Sequence, residues 1–142
     1  MKRVAVGIIV QNGLVLACQR KKTVRYPLKW EFPGGKIEPG ETAREAVIRE
    51  LQEELAIEAV PGHILLTHDW TYGDGAPSPL HETHFQVTYF LIHAFSGEVQ
   101  NRTFESIRWV SPAELQTMDI LEGNRQAVAL LLQQPDHAAS RR

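Results

Sequence analysis

Gly34, Gly35, Lys36, Glu41, Arg49, Glu50, Glu53 and Glu54 have the residue types and spacing for metal and phosphate chemistry. The run from Glu41 to Ala56 has good helix formers, no glycine or proline, and a Pro39–Gly40 turn before it, which predicts a helix. At 100° per residue, Glu50, Glu53 and Glu54 fall within an arc of roughly 100°. Ala43, Ala46 and Val47 share that face, Leu51 and Leu55 flank it, and Arg44, Glu45 and Gln52 point elsewhere. Glutamates that merely solvate a helix belong opposite its small apolar residues, whereas these continue the apolar face. Carboxylates crowded on a half-buried face repel one another and resist desolvation. Arg49 can pair with one but not compensate three, so a hard divalent cation with oxygen ligands is the expected counter-charge. The glycine pair ahead of the helix lets backbone approach a ligand closely. With a glycine carbonyl toward the metal and Lys36 toward a phosphate, the pattern suits an anionic, metal-bound substrate.

The elements that must position these groups can be read coarsely. "VAVGIIV" (4–10) and "LVLACQR" (14–20) are apolar, β-branched runs joined by "QNG", a hairpin signal. A charged loop leads to the short extended piece "WEFP" (30–33), which stops at Pro33 and the glycine pair. Strands are predicted over 63–72, 81–95 and 106–110, with a loop over 73–79. "SPAEL" (111–115) has a serine N-cap and a proline at the first helical position. Residues 122–134 read as a closing helix, and the polar tail 135–142 as frayed. No repeats, linkers or low-complexity segments interrupt residues 1–142, so one domain is expected, an α+β chain with a mixed sheet, one early helix and one late one.

Composition narrows the function classes. With 142 residues, 43% hydrophobic and 23% charged, the chain can bury one real core. A net charge of −2 and a pI near 6.3 argue against binding duplex nucleic acid. They do not argue against a nucleotide held through a metal, which supplies the positive charge. The single cysteine, Cys18, excludes an internal disulfide and a cysteine metal cluster, and its apolar run marks it as a small buried hydrophobe. The first apolar run is broken by Gln11 and Asn12, which fits a strand better than a signal peptide or membrane span. A soluble, cytoplasmic protein, monomer or homodimer, is the expectation.

The spacing from Gly35 through Glu41 to "RELQEELAI" (49–57) resembles the Nudix box, here residues 35–57. One defining position departs: Ala56 stands where the family has glycine, which should alter the turn leaving the helix and not the chemistry. The runs "AVGIIV", "LACQR", "EFPGGKIEPGET", "VIRELQEEL" and "GNRQAVALL" are similar to the MutT-like branch, and "LACQR" and "WEFPGGKIEPGE" also to CTP and modified-dCTP pyrophosphohydrolases. The resemblance implies an α/β/α sandwich, the Nudix fold, with a mixed β-sheet between the box helix and a C-terminal helix. It implies hydrolysis of a nucleoside triphosphate to the monophosphate and pyrophosphate with Mg²⁺ or Mn²⁺, 8-oxo-dGTP being the first candidate substrate. The Gly34 carbonyl, Glu50, Glu53 and Glu54 would hold the metal, and Glu50 or Glu53 would orient or deprotonate the attacking water. Arg49 would position the carboxylates, Glu41 would support the box, and Lys36 would meet phosphate or steer the water. Arg20, Glu31, Phe32, Pro33, Gly34, Gly35 and Asn124 would contact substrate, Asn124 through the amide that reads oxidised guanine. The loop glutamate that relatives carry six residues before the tryptophan falls here on Thr103, so Glu105 is the alternative candidate for ligand or base.

Other residues have plainer readings. His68, His81, His84 and His93 invite a zinc site, but His81 and His84 lie on opposite faces of a regular strand and read as strand and loop residues. Trp70, Tyr72, Phe85, Tyr89 and Phe90 read mainly as core, with Phe85 the candidate to meet a base. Asn124 has a competing reading as a helix cap. A family fold used only to bind a nucleotide is the remaining alternative, which the complete set of box glutamates disfavours.

Overall fold

The computed structural model describes residues 1–72 and 83–134. Among the described residues nine strands and three helices follow one another: β1 (Lys2–Gln11), β2 (Leu14–Gln19), β3 (Trp30–Glu31), β4 (Gly34–Lys36), α1 (Ala43–Leu55), β5 (Glu58–Val60), β6 (Ile64–Tyr72), β7 (Thr83–Ile92), β8 (Ala94–Ser96), β9 (Ser106–Val110), α2 (Pro112–Thr117) and α3 (Arg125–Leu132). A 3₁₀ turn, Glu122–Asn124, leads into α3.

The sheet is mixed and grows around β1. Over most of its length β1 runs parallel to β7, from Lys2 beside Phe85 to Ile9 beside Ile92, and β6 pairs antiparallel with β7 outside it. The other edge of β1 is shared. Its end turns through Asn12 and Gly13, both at positive φ (54° and 77°), into the hairpin with β2. Its beginning pairs with β4, Val4 beside Lys36 and Val6 beside Gly34. The segment 30–36 therefore starts against β2, Cys18 beside Glu31, and crosses to β1, with the Gly7 N–H donating to the Pro33 carbonyl at 2.9 Å on the way. The glycine pair expected to stop an extended piece is itself a strand. β9 lines the far side of β2, from Val15 beside Val110 to Gln19 beside Ser106.

Period-two alternation along β1 divides the core into two layers. Ala5 and Ile9 face α1, where they meet Ala46, Val47, Leu51, Leu55, Phe90 and Ile92. Val6 and Ile8 face the opposite side and pack with Tyr89, Leu91, Leu115, Ala127, Val128 and Leu131, bringing α2 and α3 onto that face. The result is the α/β/α sandwich that the sequence resemblance implies. Gly7 lies under α1, where a Cβ would come within 2.7 Å of Ile92 and 3.0 Å of Leu51, so the helix sits close because that position has no side chain.

Local chemistry sets the ends of α1. Thr42 caps it reciprocally with Glu45: the Glu45 N–H donates to Thr42 Oγ1 at 3.1 Å and the Thr42 N–H to Glu45 Oε1 at 2.9 Å. Glu41 is therefore outside the helix. At the other end Ala56 takes the left-handed conformation (φ 61°, ψ 28°) and donates its N–H to the Gln52 carbonyl at 3.1 Å. The exit turn is thus the one a glycine would make, not the altered turn expected for alanine there. The strand predicted over 81–95 breaks at His93, and β8 pairs with β5, a small two-stranded sheet that the sequence did not announce. Among the described residues no helix is long and apolar enough to cross a membrane.

Candidate active site

Two crossings of the backbone place the carboxylates of α1 against the glycine pair. The Gly34 N–H donates to Glu54 Oε1 at 3.1 Å. One residue on, a Cβ at Gly35 would collide with the Glu50 carboxylate. A Cβ at Gly34 would strike the backbone of Ala5 and Val6. The two glycines are thus required by close approach, one toward β1 and one toward α1.

Arg49 organises the carboxylates beside it. Its Nε and Nη2 grip Glu41 bidentately, at 2.8 and 2.9 Å. Its Nη1 donates to Glu50 at 3.1 Å and to Glu53 at 3.5 Å, and Nη2 also donates to the Lys36 carbonyl at 3.0 Å. These hydrogen bonds, with one from the Glu38 N–H, bring the Glu41 carboxyl down to about 2. Glu54 has no such partner. Burial, then the Glu50 charge, raises its carboxyl to about 8, against the pull of the Gly34 N–H. Burial also raises Glu50, opposed by Arg49, and Glu31, opposed by Arg20.

Next to Glu54 opens a cavity of about 440 Å³. Glu31, Gly34, Gly35, Lys36 and Glu54 line one end, with Arg20, Lys21 and Arg25 along the side. Phe32, Trp70, Tyr72, Phe85 and Tyr89 make an aromatic wall, closed by Gly123 and Asn124. The wall is tied together by ring contacts: Tyr72 to Phe85 at 5.9 Å, Tyr72 to Tyr26 at 5.1 Å, and Phe32 edge-on to Tyr89 at 6.4 Å. Of the aromatic residues expected in the core, Phe90 packs under α1 and Tyr89 is fully buried in the opposite layer, where it also borders the cavity, while Trp70, Tyr72 and Phe85 line the cavity. They do so because β6 and β7 pair with Trp70 beside Phe85 and Tyr72 beside Thr83, a register that local sequence does not encode.

Asn124 is buried and stands at the N-cap position of α3, but its side chain makes no capping bond. Its Nδ2 donates to the Tyr89 hydroxyl at 3.2 Å, and its Oδ1 accepts the Phe32 N–H at 3.3 Å. One N–H and one lone pair of the amide are left after these bonds. Arg20 is held by the Arg25 carbonyl at 2.8 Å and by Glu31 at 3.0 Å.

The remaining candidates fall as follows. Glu53 is largely exposed, its side chain 59% accessible against 15% for Glu50, so the half-buried face carries two carboxylates and not three. The buried stripe is centred between Val47 and Leu51, which puts Glu53 about 120° from one and about 160° from the other. Pro33 is buried behind the cavity, and Glu41, Arg49, Glu50 and Glu53 stand outside its lining. Glu105 is exposed and not part of the lining, which includes Thr103 and Phe104 instead. His68 pairs with Gln126 and His84 with Thr71, both at 2.9 Å, and His81 lies outside the described residues.

Among the described residues no three His, Cys, Asp or Glu side chains converge tightly enough to hold an ion as they stand. Glu50 is turned to Arg49 and Glu54 to Gly34. The donor set nonetheless suits a hard divalent cation, since all the groups are carboxylate oxygens. Glu54 lacks a cationic partner and is raised to about 8, the state that a bound cation would reverse.

Comparison with known proteins gives a consistent result. The NUDIX domain family model matches residues 1–131. The CTP pyrophosphohydrolase of Escherichia coli K12 is 36% identical over 114 residues, covering 80% of this chain and 78% of that protein. The 8-oxo-dGTP diphosphatase of the same strain is 33% identical over 130 residues, covering 91% and 95%. The solution structure of the E. coli ORF135 protein superposes with a TM-score of 0.80 at 28% identity, over 94% of this chain and 89% of that one.

Proposed function

The chain belongs to the Nudix family, and from that membership we propose that it cleaves nucleoside triphosphates to the monophosphate and pyrophosphate, with 8-oxo-dGTP as preferred substrate. The observation that carries this reading is one cavity with carboxylates, glycine backbone and Lys36 at one end and an aromatic wall with Asn124 at the other. A triphosphate fits the first end and a base the second. Mg²⁺, or Mn²⁺ in its place, bound by Glu50, Glu53, Glu54 and the Gly34 carbonyl, would neutralise charge on the phosphates and acidify a bound water.

The protein's own groups have distinct tasks in this scheme. Arg49 fixes Glu50 and Glu41 in one rigid set. Glu53, held only by a 3.5 Å contact to Arg49, and Glu50 are the two candidates to take the proton of the attacking water. Lys36 meets phosphate as a mobile point charge. Arg20 and Glu31, joined at 3.0 Å, form the side wall against the substrate, and Phe32 and Phe85 pack beside the base. Asn124 offers its free N–H and lone pair to the base edge. Glu105 is not assigned a role.

The test is pyrophosphate release with Mg²⁺ across 8-oxo-dGTP, dGTP, CTP, 5-methyl-dCTP, ADP-ribose and dinucleoside polyphosphates. Turnover on none of them sinks the reading. The CTP pyrophosphohydrolase relative favours a second one, and a preference for CTP over 8-oxo-dGTP would select it while keeping the chemistry. Glu53→Gln should lower kcat at least a hundredfold with an unchanged melting temperature. Asn124→Ala should lose base selectivity while retaining phosphate chemistry.

A further inference from the structure

The aromatic wall contains a hydroxyl whose proton is left over. The Gly123 N–H donates to the Tyr72 hydroxyl at 2.7 Å, so this oxygen acts there as acceptor. Among the described residues no other hydrogen bond engages that hydroxyl, and its proton has no acceptor. Tyr89 is different: its hydroxyl donates to the Gly123 carbonyl and accepts from Asn124, both at 3.2 Å, which uses its proton. The two tyrosines come from paired strands and hold the same glycine from opposite sides. A Cβ on Gly123 would collide with the Tyr72 hydroxyl, so the close approach depends on that residue being glycine. Ring contacts with Tyr26, Trp70 and Phe85 fix the phenol, leaving its proton to turn toward the cavity it lines.

We propose that Tyr72 is a base-recognising residue whose hydroxyl donates a hydrogen bond to a carbonyl oxygen of the nucleobase, beside the Asn124 amide. The inference rests on the proposed nucleotide site and adds to it a selection for bases that carry a ring carbonyl over adenine, which has none. The phenol keeps its proton throughout the neutral range, since burial raises it to about 12. The donor is held in place before substrate arrives, because the Gly123 N–H occupies one side of the oxygen. A neutral hydrogen bond with these partners corresponds to roughly a tenfold difference in affinity.

The test measures binding, so that it does not depend on turnover. Dissociation constants are measured by calorimetry for 8-oxo-dGMP, dGMP, CMP and dAMP, and for 2-aminopurine deoxyribonucleoside monophosphate, which is dGMP without its carbonyl oxygen and N1 proton. In the wild-type protein dGMP should bind about tenfold more tightly than the 2-aminopurine nucleotide. In Tyr72→Phe that ratio should fall to about one, with dAMP affinity unchanged. The comparison in the wild-type protein keeps the test decisive should the variant misfold. Equal weakening of dAMP and dGMP in Tyr72→Phe would mean that the hydroxyl only props up Gly123, and the proposal fails. It fails too if wild type does not distinguish dGMP from the 2-aminopurine nucleotide. Failure of pyrophosphate release with these binding ratios intact would instead reject the catalytic reading and keep the base site.

Discussion

At the scale of single residues, the site depends on carboxylates being brought close to backbone that has no side chain. Gly35→Ala should push the Glu50 carboxylate from its place beside Arg49, lowering kcat at least tenfold with a smaller loss of stability. A variant that turns over normally would show that Glu50 does not need this position. The charges also predict two opposite pH dependences. Glu41, lowered to about 2, stabilises the fold above its unfolded value, and that contribution is lost as pH falls from about 4.5 through about 2. Glu54, raised to about 8, works in the other direction. In chelator, its contribution to stability should be greatest below about 4.5 and decline until about pH 8, as the unfolded chain ionises first. Urea midpoints across this range, for wild type and Glu54→Gln, check the sign: the variant should show a shallower slope, with Glu50 and Glu31 supplying the rest. Much of this was legible in sequence, because spacing at 3.6 residues per turn puts Glu50 and Glu54 on the face of Val47. The exposure of Glu53 was not, since the centre of the buried stripe depends on which sheet residues the helix meets.

At the scale of elements, the caps of α1 were written locally and the short strands were not. Thr42 and Glu45 have the spacing of a capping box, and Ser111 with Glu114 repeats it at α2. Ala56 pays a conformational cost to leave the helix as a glycine would. Ala56→Gly should therefore stabilise the protein by about 0.5–1 kcal/mol, after the added flexibility of the unfolded chain is deducted, and leave kcat unchanged. A melting temperature that stays level or falls would contradict the strain. By contrast, β4 exists only because β1 lies beside it, some thirty positions away, and β5 needs β8 in the same way. No local pattern in "GGK" or "EAV" could announce either strand. The aromatic wall has the same origin, being made by the register of β6 on β7.

At the scale of the whole molecule, the alternation along β1 distributes two cores and holds α1 to the sheet. Leu51 is fully buried in the layer that positions Glu50 and Glu54. Leu51→Ala should cost about 2–5 kcal/mol in chemical unfolding and reduce activity in parallel. A stability loss without any effect on turnover would separate the helix packing from the site. The sandwich itself was legible through the box and its flanking strands, while the cavity was legible only in those lining residues that the resemblance or a single motif names, because the rest of its wall comes from distant parts of the chain. The crossing segment joins them with a further consequence. The Phe32 N–H touches Asn124, and two residues later the Gly34 N–H touches Glu54. Only Pro33 lies between, with its φ locked and its carbonyl held by Gly7. Two residues of backbone span at most about 7 Å. Under the proposed function this stretch is a ruler of fixed length, with the base at one end and the phosphates at the other. Inserting one residue beside Pro33 would lengthen it by about 3.4 Å, and the enzyme would misjudge the size of its own substrate.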